Sequence, residues 1–262
     1  MRRSLILSCL IVLVTSAISC AQVPAWLDAD KASVDDVLDA LQQSGKTVKT
    51  FTAEVKMKIL DETFDTSSTQ SGKVWFKVKA GGDATVHVIF DHKTENNKTR
   101  EQKSEWLLDD GWLTERNYTR SHEQRIQLVP AGQKMDLFQL GKGPFPLPIG
   151  QDKKDVHQQF DVTKVDADKS DPPNTVHLHL VPKSKTALEK SFAGIDVWVD
   201  GKTMMPVRVM TENAKHSEAR TTDMMNLKVN PEIKPEDISL PALDVSKWTT
   251  VDKPIQPAGQ NP

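Results

Sequence analysis

The residues from Phe51 to Ile59, FTAEVKMKI, alternate without a break between apolar and polar side chains. A period of two is that of a β-strand with one face buried and one face in water. The same alternation recurs in the ranges 72–78, 84–90, 105–108, 112–118, 124–129, 160–165, 175–181, 195–199, 207–212 and 222–229. Short turns such as Asp109-Asp110-Gly111 and Asp200-Gly201 separate them. The sequence therefore predicts an α+β protein, mostly antiparallel β, whose sheet of about ten strands curls around an apolar face.

One helix precedes these strands. Ser33 is a favourable N-cap, Asp36 stands at the third helical position, and Gly45 is placed to end the helix. An apolar stripe along the helix consists of Val34, Val37, Leu38 and Leu41. Because a single apolar stripe needs a partner, we expect this helix to pack on the sheet.

The segment from Leu137 to Ile149, LFQLGKGPFPLPI, is apolar but contains two glycines and three prolines. It suits neither a helix nor a central strand. Two interpretations remain open: a packed crossover between two halves of the sheet, or a mobile cover over a hydrophobic cavity. With the helix, it provides the lid candidates Val37, Leu38, Leu41, Leu137, Phe138, Leu140, Phe145, Leu147 and Ile149.

The first residues have the pattern of a secretory signal. Arg2 and Arg3 precede an apolar run over 5–14, which is too short to span a membrane, and small residues follow. We expect a signal peptide over 1–21, a body over 22–243 and a proline-rich mobile tail over 244–262. Cleavage before Gln22 would give a soluble periplasmic protein, whereas Cys20 in a loose lipobox would give a lipid-anchored one.

The composition excludes some classes of function. The formal charge of −2 comes without a basic block, which argues against a nucleic-acid partner. His177 and His179 could share a metal ion, but they alternate with apolar residues and so belong to the polar, solvated face. No nucleophile elbow, phosphate loop or dinucleotide fingerprint is present. The sequence thus gives no reason to expect an enzyme, a metal or a cofactor.

Several motifs, in order, resemble the LolA/LolB family of lipoprotein carriers. GKVWFK over 72–77 resembles the family's G-x-L-W-x-K strand, and Asp110-Gly111 matches its Asp-Gly turn. LVPK over 180–183 and IDVWVDG over 195–201 resemble the two motifs that follow, and the range 224–231 is similar to the closing strand. The resemblance extends from about residue 34 to residue 240.

This resemblance implies an unclosed half-barrel whose concave face is covered by helices and irregular lid material. It also implies a monomeric periplasmic carrier that receives acyl chains from an inner-membrane transporter and delivers them to an outer-membrane receptor. One departure concerns the lid latch, because Val78 and Lys79 stand where the family has Arg-Pro. The alternatives are a lipid or lipoprotein sensor, a LolB-like receptor anchored through Cys20, and a secreted metal-dependent enzyme.

The predicted lipid-binding cavity consists of inward-facing residues of the alternating strands. These candidates are Val55, Met57, Val74, Phe76, Val86, Val88, Phe90, Leu178, Leu180, Val197 and Val209. An apolar enclosure is needed because a methylene group exposed to water costs ~0.8 kcal/mol.

Overall fold

The computed structural model describes residues 27–80, 82–130, 132–133 and 149–255. The predicted signal peptide, Cys20 and the segment from Leu137 to Pro148 lie outside these residues. Within them the chain forms two α-helices, two short 3₁₀ helices and twelve strands.

In chain order, the elements have the following bounds. The helices are α1 (Val34–Thr47) and α2 (Lys153–Gln159), and the 3₁₀ helices cover Leu188–Lys190 and Pro235–Ile238. The strands are β1 (Thr50–Asp61), β2 (Thr66–Val78), β3 (Ala84–Glu95), β4 (Lys98–Asp109), β5 (Trp112–Asn117), β6 (His122–Gln127), β7 (Phe160–Val165), β8 (Thr175–Pro182), β9 (Phe192–Asp200), β10 (Pro206–Asn213), β11 (Glu218–Val229) and β12 (Thr249–Lys253).

All twelve strands belong to one sheet, in the order β12-β6-β5-β4-β3-β2-β1-β11-β10-β9-β8-β7. Every pair is antiparallel except β12 with β6, which is parallel. Because β12 and β7 do not pair, the sheet is open, and the predicted fold class is confirmed. The sequence missed α2 and β12, and β12 lies within the range predicted as a tail.

The two faces of the sheet differ in character. The register places Met57, Thr222, Val209, Val197 and Leu178 side by side across five strands, and we call their side the inner face. Helix α1 packs on this face over β8, β9 and β10. The opposite side is the outer face, on which polar side chains alternate with the apolar ones of the inner face.

Helix α1 begins as predicted but ends later. Ser33 and Asp36 form a reciprocal capping box, with the Asp36 amide donating to Ser33 Oγ at 3.2 Å. The prediction that Gly45 ends the helix is wrong, because α1 continues to Thr47. Gly45 instead allows a close backbone contact, since a Cβ there would lie 2.1 Å from Gly150 Cα. A bond from the Gly150 amide to Leu41 O, 2.9 Å long, strengthens the same contact.

The chain after β11 crosses the outer face before it forms β12. The carbonyl of Asp237 lies 2.9 Å from His87 Nδ1, and the carbonyl of Pro241 accepts from Arg116 NH1 at 2.6 Å. Trp248 packs edge-to-face on Tyr118, with ring centroids 5.1 Å apart. We call residues 230–248 the C-terminal strap, because they lie over β2 to β6.

Among the described residues, the structure contains no helix with the length and apolar character needed to span a membrane.

Candidate functional site

All eleven residues predicted for the cavity lie on the inner face, and none is more than 5% exposed. Seven of them belong to a first apolar cluster, formed with β1 to β5: Val55, Met57, Val74, Phe76, Val86, Val88 and Phe90. The other four, Leu178, Leu180, Val197 and Val209, belong to a second cluster beneath α1. The structure thus places the candidates in two groups, and their contact with a ligand stays a prediction.

The lid candidates are divided in the same way. Val37, Leu38 and Leu41 project from α1 into the second cluster, and Ile149 is fully buried in the first. The other predicted lid residues lie outside the described part of the chain: Leu137, Phe138, Leu140, Phe145 and Leu147.

Lys79 stands at a latch position of the family that the motifs resemble. In this structure it forms ion pairs with two carboxylates of the sheet. Its Nζ lies 2.5 Å from Asp109 Oδ1 and 2.6 Å from Asp110 Oδ1, at the turn between β4 and β5. Burial disfavours the charged ammonium, but these carboxylates outweigh that effect and raise the pKa of Lys79. Lys79 therefore joins two turns of the sheet, and the existence of a lid latch stays a prediction.

The inner face changes from apolar to polar along β2 to β6, as three cross-strand rows show. The first row is wholly apolar: Phe76, Val86, Leu108, Leu113 and Ile126. The second row is mixed: Val74, Val88, Trp106, Glu115 and Gln124. The third row is mostly polar: Gly72, Phe90, Ser104, Asn117 and His122. A boundary of polarity therefore crosses the inner face.

Two aromatic rings lie at this boundary. Phe90 and Trp106 pack edge-to-face with centroids 5.2 Å apart, a favourable geometry for aromatic pairs. Gly72 lies beside Phe90 because β3 is irregular there, and a Cβ at Gly72 would come 1.8 Å from Ile89 O. This contact gives a physical reason for the glycine of the 72–77 motif.

A cavity of about 250 Å³ opens on the polar side of the boundary. Its lining combines amides and a hydroxyl with a carboxyl group and basic residues: Gln70, Gln102, Asn117, Gln124, Ser104, Glu115, Arg116, Arg120 and His122. Burial raises the pKa of the Glu115 carboxyl, and the positive charge of Lys253 offsets part of the rise. The sequence analysis missed this cavity, because its residues come from four strands and only the register brings them together.

The outer face holds a second cavity of about 370 Å³ beside the C-terminal strap. Thr52, Glu54, Lys73, Trp75 and Asp237 contribute to its lining. Charges of both signs are present, and Trp75 stacks on His87 with centroids 5.7 Å apart.

His177 and His179 lie on the outer face, as predicted, but His177 is not solvated. Its side chain is 13% exposed because the ring stacks on Trp198, with centroids 4.1 Å apart. Both histidines bind one carboxylate oxygen, Asp196 Oδ1, at 2.8 and 3.0 Å. Within the described residues no group of three or more His, Cys, Asp or Glu side chains is arranged to hold a metal ion.

No protein-family model matches the chain, and no curated protein matches it. Among solved structures, a chain of the Pseudomonas aeruginosa MucA/MucB complex is 14% identical, with a TM-score of 0.45. That match covers 80% of this chain and 62% of the other, so this chain spans less than two thirds of that protein's length.

Two further matches cover nearly the whole of the other chain. A putative outer membrane lipoprotein-sorting protein domain from Vibrio parahaemolyticus is 13% identical over 77% of this chain and 95% of that chain, with a TM-score of 0.34. A LolA superfamily protein from Nitrosomonas europaea is 12% identical over 80% and 98%, with a TM-score of 0.31. Both matches are to proteins of the kind that the sequence motifs resemble.

Proposed function

We propose that this protein binds the acyl chains of lipoproteins or of related lipids on its inner face and carries them across the periplasm towards the outer membrane. The observation that supports the proposal most directly is the first apolar cluster, which continues to a polar boundary on one face of an open sheet. An acyl chain lying there would be removed from water, which favours binding by ~0.8 kcal/mol for each buried methylene.

Direct extraction tests the proposal. Protein purified from its native envelope should carry lipid or acylated protein, which organic extraction and mass spectrometry would identify. The purified protein should also bind a fluorescent fatty acid. A protein that carries no lipid and does not bind the fatty acid would contradict the proposal.

A matched pair of variants assigns the binding to one face. Ile59 packs against the first cluster and is partly exposed, while its neighbour Leu60 is equally intermediate in exposure but points to the outer face. Ile59→Gln should weaken fatty-acid binding about tenfold, because burying an isoleucine side chain is worth about 1.5–3 kcal/mol. Leu60→Gln should leave it unchanged. Equal effects in both variants would show that binding does not use the inner face.

The loose lipobox that ends at Cys20 supports a second arrangement, in which the protein is a lipid-anchored receptor of the same fold. The two arrangements differ in the mass of the mature protein. A mature N-terminus at Gln22 supports the soluble carrier, whereas a diacylated Cys20 supports the receptor. Mass spectrometry of intact protein from the envelope distinguishes them.

A further inference from the structure

Two Asn-x-Thr triplets have similar local sequences but different surroundings in the fold. They are Asn97-Lys98-Thr99 and Asn117-Tyr118-Thr119, and each asparagine stands two positions after a glutamate. In an exported protein such a triplet is an acceptor for N-linked glycosylation, provided that it lies on a surface loop. Because the local sequences are so alike, the fold determines which asparagine a transferase can reach.

Asn97 lies at the tip of the hairpin between β3 and β4. It forms a two-residue turn with Asn96, and the φ angles of +50° at Asn96 and +59° at Asn97 are those of a type I′ turn. Glu95 pairs with Lys98 across the turn. Residues 96–100 are all exposed, so the Asn97 side chain is accessible to a large enzyme.

The β4 side of this hairpin is an exposed edge. The pairing of β5 with β4 begins at Ser104, and among residues 98–102 all except Gln102 are exposed. The Thr99 hydroxyl oxygen lies 2.8 Å from that of Thr94, an exposed contact that water can replace. A segment with so few buried contacts opens locally at low free energy. A transferase can therefore bind the triplet while the rest of the sheet stays folded.

Asn117, in contrast, is held between two strands. It lies in β5 and pairs with Ser104 on one side and with His122 on the other. Its Oδ1 accepts from the Arg120 amide at 3.0 Å, and the preceding residue, Arg116, is buried. Presenting this triplet would require separating β5 from both of its neighbours, so the folded protein withholds it.

We infer that Asn97, and not Asn117, accepts an N-linked glycan from a lipid-linked oligosaccharide. The transfer forms a bond between Asn97 Nδ2 and the anomeric carbon of the first sugar. It breaks the bond from that carbon to the lipid diphosphate, which leaves with the electron pair, while a base of the transferase takes one amide proton. A bulky, hydrophilic glycan at the tip would also hinder pairing of the β4 edge with another chain.

The test uses the full chain produced in its native envelope, with peptide mass spectrometry at both asparagines. Asn97→Gly removes the acceptor amide but leaves an Asn-Gly turn, which is a favoured type I′ pair, so the hairpin is preserved. Thr99→Ala keeps the amide and removes the hydroxyl of the triplet. Thr99→Ser is the matched control, because it restores a hydroxyl at the same position.

The natural chain should carry the added mass of sugar residues on Asn97, and its Asn117 should be unmodified. Asn97→Gly and Thr99→Ala should both lose the added mass, whereas Thr99→Ser should retain it. Fatty-acid binding, measured on the same samples, tests the proposed function separately, because glycosylation requires export but not a carrier role.

Any of three results would overturn the inference. A natural chain without added mass on Asn97 would show that the hairpin is not an acceptor. Equal modification of Asn117 would show that transfer precedes folding and that the fold does not select the site. Added mass that persists in Asn97→Gly or Thr99→Ala would place the sugar on another residue.

Discussion

Arg116 offers a direct test of how firmly the C-terminal strap is attached to the outer face. Its side chain is 7% exposed, its Nε donates to Glu123 Oε2 at 2.6 Å, and its NH1 donates to Pro241 O at the same distance. Glu123 is also buried. The ion pair therefore lies between the sheet and the strap, away from bulk water.

We expect Arg116→Met to destabilise the protein by about 3–5 kcal/mol, because it leaves the Glu123 carboxylate buried without its partner. The double variant Arg116→Met/Glu123→Leu should recover most of this loss, since the uncompensated charge is then absent. At about 2–4 °C per kcal/mol, the single variant should melt about 6–20 °C below the unmodified protein.

Urea unfolding followed by far-UV circular dichroism gives the free energies of unfolding. Arg100→Met is the control, because Arg100 forms an ion pair with Glu95 on the surface, where its side chain is 59% exposed. Such a pair contributes less than about 1 kcal/mol. Limited proteolysis gives a second measurement, since cleavage within residues 230–248 should accelerate in Arg116→Met. If Arg116→Met costs no more than Arg100→Met, the outer face is hydrated and the strap does not seal it.

Two further changes test separate parts of the structure. Gly45→Ala, which in an exposed helix would stabilise by up to about 1 kcal/mol, should instead destabilise, because the new Cβ would meet Gly150 Cα at 2.1 Å; a raised melting temperature would contradict the contact. Glu115 has a pKa raised above 4.5 by burial, so the folded state holds more protons than the unfolded state between the two pKa values. The unmodified protein should therefore lose stability relative to Glu115→Gln as the pH rises from about 4 to 7. If the urea midpoints of the two proteins change with pH by the same amount over that range, the pKa of Glu115 is not raised.

The inner face could be predicted from the sequence because alternation is a local property. The alternation within each strand shows over a few residues which side is buried. Pairing between strands then keeps the buried sides on one face of the sheet. For this reason all eleven cavity candidates lie on one face, although β2, β3 and β4 extend beyond their predicted ranges.

Features that depend on distant contacts could not be predicted. The role of Gly45 is set by Gly150, more than a hundred residues away. The outward-facing His87, Glu105 and Arg116 were expected in water, yet each is buried. The strap contacts His87 and Arg116, but its sequence has no periodic pattern from which it could be predicted. The polar cavity likewise needs the register of four strands, which the sequence of any one strand does not contain.

Both faces contain buried polar groups, and on the outer face the strap supplies partners to some of them. On the outer face, the strap supplies carbonyl groups to His87 and Arg116, and Tyr118 donates to Glu105 at 2.8 Å. Among the described residues, Gln70 Oε1 on the inner face and His87 Nε2 on the outer face have no hydrogen-bond partner. A polar atom left unpaired beside an open cavity costs stability in the free protein, and it contributes affinity only when a ligand satisfies it. An apolar residue at position 70 should therefore be more stable than glutamine in the free protein.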